Sequence, residues 1–252
     1  MARARISAAG MLAICLSALF GQSASSEETL PSGFVRLSEI APSIRQDIRY
    51  AGSFNFTGQV VPGYQRADCL LREPIAKALA EAQKRLLTQG FKLKVFDCYR
   101  PLRAVRAFLA WSKTPGEDSM KSIFYPAFDK SNLFDLGFLA LHSNHTMGIA
   151  ADVGLVRAGE DNVGPTKRGG RCDGPFEQRV NESSLDFGTA YDCFSSRSAT
   201  ASPNVSEKAR ANREMLRRAL EAEGFRNYSL EWWHYDFTGH SGPTQIYDFP
   251  IR

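Results

Sequence analysis

The stretch Ser143–Val156, "SNHTMGIAADVGLV", decides how this chain folds. Its second half, "AADVGLV", is a short run of small and branched apolar residues, the pattern of a buried strand. Its first half holds His145, seven residues ahead of Asp152. On one straight strand an odd separation would point the two side chains to opposite faces. Gly148 offers a break, so that His145 sits in a loop and Asp152 on the strand that follows. Working outward, "FKLKVFD" (91–97) alternates apolar and basic residues and reads as another strand. "REPIAKALAEAQKRLLTQG" before it reads as a helix, with Pro74 in the first turn and Gly90 as the stop. Ile75, Ala78, Leu79, Ala82 and Leu86 form its apolar face.

After the strand, "RPLRAVRAFLAWSK" returns to helical spacing, with Leu102, Val105, Phe108 and Leu109 on one side. Arg157 to Asn181 reads as loop, and its "GPTKRGGRCDGP" lacks the strand–loop–helix frame of a phosphate-binding loop. "SEKARANREMLRRALEAEG" is the last long helix, from a Ser206 cap to a Gly224 stop. "FRNYSLEWWHYDF" then reads as strand. Helices alternate with strands, but too few strands cluster for a doubly wound sheet. The expected class is α+β: a single domain with a small central, mostly antiparallel sheet flanked by helices.

The chain has 252 residues, with 43% hydrophobic and 23% charged, the balance of a globular protein. Its start differs. Basic "MARAR", apolar "ISAAGMLAICLSALF" and small or polar "GQSASSEE" have the layout of a secretory signal peptide, expected over residues 1–24. The apolar run is too short to span a bilayer comfortably. The mature domain is then 25–252, exported to the periplasm or the medium, with no stable membrane association after cleavage. Removing the leader takes Arg3 and Arg5 and no acid, so the formal charge falls from +4 to +2. That near-balance gives no argument for nucleic acid as a partner. Cys69, Cys98, Cys172 and Cys193 remain, an even number suited to two disulfides in an oxidising compartment. Sequence order favours Cys69–Cys98 and Cys172–Cys193 among three possible pairings.

A second unusual segment is "EWWHYDF", with Glu231 and His234. His145, Asp152 and His234 make a three-ligand set for Zn²⁺ with a fourth position open. Glu231, three residues before His234, is the carboxylate a zinc hydrolase needs as a base. Both would face one ion only if a bend or helical turn fell between them. Taken singly, each histidine is more often structural than metal-binding, and Trp232 and Trp233 more often core than substrate platform.

Ser143-x-His145-x-x-Gly148-x-Ala150-x-Asp152, followed about eighty residues later by Glu231-x-x-His234, resembles the D-alanyl-D-alanine dipeptidases, a group within the zinc D,D-peptidases of peptidase family M15. "DIRYAGSFNFTGQVVPGY", "FDCYRP", "LDFGTAYD" and the ending "YDFPIR" are similar to the family's segments, so the resemblance covers nearly the whole mature chain. It implies one Zn²⁺ per chain, at the sheet, bound by His145, Asp152 and His234. It implies Glu231 as general base acting on a metal-bound water, Arg100 as stabiliser of the transition state, and Tyr50, Ser143 and Asp192 lining a pocket for a small D,D-dipeptide. The chain departs from the pattern at Phe187, where Met is usual, and at Tyr191, where Phe is usual. The competing expectations are a D,D- or L,D-carboxypeptidase trimming peptidoglycan stem peptides, and a non-catalytic zinc-containing wall-binding protein. Retention of both Glu231 and Arg100 argues against the latter, because neither is needed merely to hold a metal.

Overall fold

A computed structural model describes residues 1, 30–116, 118–160, 169–180, 182–239 and 245–252. The expected leader lies outside the described residues, apart from Met1. In chain order the elements are β1 (Phe34–Arg36), α1 (Leu37–Ile40), β2 (Arg45–Gln46), β3 (Leu70–Arg72), α2 (Glu73–Leu87), β4 (Phe91–Asp97), α3 (Leu102–Lys113), α4 (Lys121–Phe124), β5 (Ala150–Arg157), α5 (Glu207–Glu221), β6 (Phe225–Asn227) and β7 (His234–Phe237). Short 3-10 turns lie between them, at Arg49–Ala51 and Asn144–Met147 among others.

Five strands form one sheet in the order β2-β4-β5-β7-β6. Only the short edge pair β2–β4 is parallel; β4–β5, β5–β7 and β6–β7 are antiparallel. β1 and β3 make a separate antiparallel pair. Helices α2 and α5 pack on each other and against the sheet. The α+β expectation, with a small and mostly antiparallel central sheet, holds. Among the described residues no helix is long and apolar enough to cross a membrane.

Local rules account for most element boundaries. In α2, Pro74 occupies the first turn and Ile75, Leu79, Ala82 and Leu86 are buried. In α5, Ser206 Oγ accepts the Ala209 N–H at 3.1 Å and caps the helix. In α3 the buried stripe is Ala104, Val105, Phe108 and Trp111, while Leu102 and Leu109 are only half-buried, so it lies slightly round the helix from the face first expected. In β4 the basic positions do not all reach water. Lys94 is 1% exposed, and its ammonium meets Asp47 Oδ2 at 2.6 Å and the Glu182 carbonyl at 2.5 Å.

One correction matters for the site. "FRNYSLEWWHYDF" is two antiparallel strands, β6 and β7, joined by a turn, rather than one strand. The turn closes where the Glu231 N–H donates to the Tyr228 carbonyl at 3.1 Å and the His234 N–H to the Glu231 carbonyl at 3.4 Å. This is the bend that lets residues three apart face the same space. Trp232 is core: it stacks on Phe187 at 4.1 Å and donates its indole N–H to Thr189 Oγ1 at 2.8 Å. Trp233, also buried, lines a cleft. Both favoured disulfides are formed, Cys69–Cys98 and Cys172–Cys193.

Candidate metal centre and active site

The sheet register sets the geometry. Asp97 on β4 pairs with Asp152 on β5, and Asp152 pairs with His234 on β7, so three polar residues stand in one row across the central strands. His145 joins them from the turn Asn144–Met147. That turn is capped by Ser143, whose Oγ accepts the His145 N–H at 3.3 Å, and closed by Gly148 at φ +70°. A Cβ on Gly148 would sit 2.5 Å from the Phe34 ring, so backbone conformation and packing both require glycine there.

Three ligand atoms face one another. His145 Nε2 lies 3.2 Å from Asp152 Oδ1 and 3.1 Å from His234 Nδ1, and His234 Nδ1 lies 3.1 Å from Asp152 Oδ1. An ion with bonds of about 2.0–2.1 Å in tetrahedral geometry spaces its ligands about 3.3 Å apart. The triangle therefore fits a small divalent cation. The outward atoms agree. His145 Nδ1 donates to the Cys98 carbonyl at 2.6 Å, and His234 Nε2 donates to Asp236 Oδ1 at 3.0 Å. Each imidazole thus keeps its other ring nitrogen for the triangle, where a bound cation would take the place of any proton, the arrangement of metal-binding histidines. Asp152 Oδ2 accepts from the Tyr191 hydroxyl at 3.0 Å, leaving Oδ1 for the triangle. Burial works against the charge of Asp152, but His145 and His234 hold its carboxyl well below the usual range. Burial likewise disfavours a charged His234, yet hydrogen bonds to Asp152 and Asp236 push it up to about 10. The potential at this position favours positive charge.

Glu231 is 8% exposed, and no hydrogen-bond partner of its carboxylate is found among the described residues. Burial pushes it up to about 8, with Asp152 and Asp236 adding to the rise and His234 and Arg100 opposing it. Arg100 follows β4 on the loop before α3. Its Nε and Nη2 both lie 2.9 Å from Asp97 Oδ2, and Nη2 is 3.7 Å from Asp152 Oδ2. The pairing with Asp97 is the one a surface arginine would make, but this side chain is 11% exposed and sits over the rings of Tyr50 and Phe108. Tyr50 donates its hydroxyl to Asp192 Oδ2 at 2.9 Å. Burial and the Asp152 charge push the Asp192 carboxyl well above the usual range.

All eight residues put forward from the sequence (Tyr50, Arg100, Ser143, His145, Asp152, Asp192, Glu231 and His234) line one cleft of about 220 Å³. Its far wall is the segment around Phe138, buttressed where the Tyr228 hydroxyl donates to the Gly137 carbonyl at 3.1 Å. Sequence reasoning missed three supporting groups: Asp236, the Cys98 carbonyl and the Tyr191 hydroxyl. Only Tyr191 carried a signal, as a departure from the residue usual at its position.

A family model described as D-ala-D-ala dipeptidase, Peptidase_M15, matches residues 31–180 and 164–252. The chain is 33% identical over 220 residues to a D-alanyl-D-alanine dipeptidase of Enterococcus faecium, covering 87% of this chain and 98% of that protein. It is 32% identical over 218 residues to one from Streptomyces coelicolor, covering 86% of this chain and 98% of the relative. A solved vancomycin-resistance D,D-dipeptidase, VanXYg, in complex with a D-Ala-D-Ala phosphinate analog, aligns over 82% of this chain and 67% of that one, with a TM-score of 0.32 and 16% identity. With both segments of the family model matched and relatives aligned over nearly their full length, the chain belongs to the D-Ala-D-Ala dipeptidase family and is a metallopeptidase.

Proposed function

We propose that the chain is an exported zinc dipeptidase that hydrolyses D-alanyl-D-alanine to two D-alanines. The observation that carries this is the triangle of His145 Nε2, Asp152 Oδ1 and His234 Nδ1, 3.1–3.2 Å on each side, with Glu231 on the same cleft. Two nitrogens and one carboxylate oxygen, with an open position, are a donor set for Zn²⁺. One such ion per chain supplies Lewis-acid polarisation of the scissile carbonyl and makes water acidic enough to attack near neutral pH.

The chain's own residues do the rest. The Glu231 carboxylate takes a proton from the attacking water and delivers it to the departing amine nitrogen. Arg100, permanently charged and held by Asp97, stabilises the carbonyl oxygen as it gains negative charge. Tyr50, Ser143 and Asp192 hold the dipeptide. An ammonium entering beside Asp192 finds a cleft already crowded with carboxylates, the setting that favours a free amino terminus over a blocked one. The two disulfides and the signal-like residues 1–24 support export to an oxidising compartment.

The test is D-alanine release from D-Ala-D-Ala by mature protein, with and without a chelator, beside a metal analysis. One zinc per chain is expected, with activity lost on chelation and regained on adding zinc. Chelator-resistant release, or protein without stoichiometric zinc, would sink the proposal.

A further inference from the structure

Tyr191 and Asp192 are consecutive, and so are the two residues that hold them. Tyr50 holds the Asp192 carboxylate. Arg49, its neighbour in the turn Arg49–Ala51, donates from Nη2 to Glu182 Oε1 at 2.8 Å. Both Glu182 oxygens in turn accept the Tyr191 backbone N–H, at 3.1 and 3.0 Å. The Arg49 and Glu182 side chains are 4% and 6% exposed, so the pair is shielded from solvent. The Arg49 guanidinium also lies over Phe96 and Tyr191, whose rings stack at 4.5 Å. Neither Arg49 nor Glu182 lines the cleft.

We propose that Arg49 and Glu182 are positioning residues for substrate recognition: their buried ion pair fixes the Tyr191–Asp192 turn and so aims Asp192 at the dipeptide's ammonium. This rests on the role given to Asp192 above. The need for such a clamp is physical. Asp192 sits at φ +55°, a left-handed conformation that non-glycine residues adopt infrequently. Its carboxylate is buried near Asp152 and Glu231, which repel it. Left to itself, the turn would relax toward solvent. Cys193, bonded to Cys172, anchors the far side, and the Arg49–Glu182 pair anchors the near side. The pair can do so because a buried, charge-assisted contact has a narrow geometry.

The test uses Glu182→Gln, which keeps an acceptor beside Tyr191 N but removes the charge that pairs with Arg49. KM for free D-Ala-D-Ala is expected to rise about tenfold, the equivalent of roughly one such hydrogen bond. Preference for the free over the N-acetylated dipeptide should fall by a similar factor. kcat and zinc affinity should change by less than KM does, since the turn reaches the Asp152 side only through the Tyr191 hydroxyl. Arg49→Lys keeps the charge and loses the fork; it is expected to give a smaller rise in KM, and it decides the matter if Glu182→Gln does not fold. A lower melting temperature with KM and preference unchanged would mean a merely structural pair and overturn the proposal. Asp192→Asn separates the two claims. If it leaves the preference intact, the Asp192 role fails and this proposal with it. If it abolishes the preference while the Glu182 and Arg49 variants keep theirs, only the clamp fails.

Discussion

The two halves of the cleft are built differently. The His145–Asp152–His234 side is a product of the main chain. Asp152 and His234 are opposite partners on neighbouring strands, and His145 is held by a backbone carbonyl, that of Cys98. The Tyr191–Asp192 side is not itself part of a strand; it rests on the sheet through the Tyr191 ring on Phe96 and is held mainly by side chains: the Arg49–Glu182 pair, the Tyr50 hydroxyl and the Cys172–Cys193 bond. Strand ladders fix atoms to within a few tenths of an ångström by cooperation of many bonds, whereas a loop is only as well placed as the few contacts that pin it. The half that would handle the reacting atoms in the proposed reaction has the stiffer scaffold. The half proposed to select the substrate has the adjustable one.

That contrast can be broken by substitution. The largest effect is expected from Glu231→Gln, on the turn joining β6 and β7. Turnover should drop by about 10²–10⁴ with zinc retained, as for loss of a proton-transfer group. In the unsubstituted protein the acid limb of kcat should lie above the 4.5 of an ordinary glutamate, because burial raises Glu231. It should lie below about 8, because a bound cation favours the ionised form. The base works only when deprotonated, so activity falls as pH drops through this range. A limb that persists in Glu231→Gln would assign the titration to another group.

Next in size is Asp236→Asn, which weakens the acceptor fixing the His234 tautomer. Zinc affinity should fall by about 10–100-fold, measured by competition with a chromogenic chelator, with KM of the fully loaded enzyme unchanged. A KM change with metal affinity intact would blur the division between the halves. The smallest effect is expected from Tyr191→Phe, which removes one hydrogen bond to Asp152 Oδ2. The hydroxyl joins the two halves, so kcat, zinc affinity and KM should all shift, each by less than about tenfold, with about 1–3 kcal/mol lost on thermal unfolding. No shift in any of them would mean that the halves are independent.

Much of the stiff half was legible in the sequence, because its chemistry is local in sequence. Gly148 between His145 and Asp152, and the two residues between Glu231 and His234, carry the geometry in their spacing. The long helices were legible too, from apolar period and caps. The hairpin within "FRNYSLEWWHYDF" was not, since it has no Gly or Asn-Gly turn to mark it and its aromatic content is that of a strand throughout. The burial of Lys94 was hidden for a similar reason: an alternating apolar–basic pattern looks half-exposed, and only the distant Asp47 and Glu182 reveal otherwise. The clamp on Tyr191 joins positions separated by 133 residues, Arg49 to Glu182, so no window of sequence could contain it.

The row of Asp97, Asp152 and His234 across three strands also bears on how such an enzyme changes over generations. Slipping β5 or β7 by one residue would turn Asp152 or His234 to the other face, and slipping β4 would turn Asp97 away from Arg100, so the ladder punishes small shifts heavily. The Tyr191–Asp192 turn belongs to no strand of that ladder, so no register of this kind constrains it. On the roles proposed above, exchanges among the few side chains that hold the turn would reshape which small peptide is admitted while the bond-breaking chemistry is inherited intact.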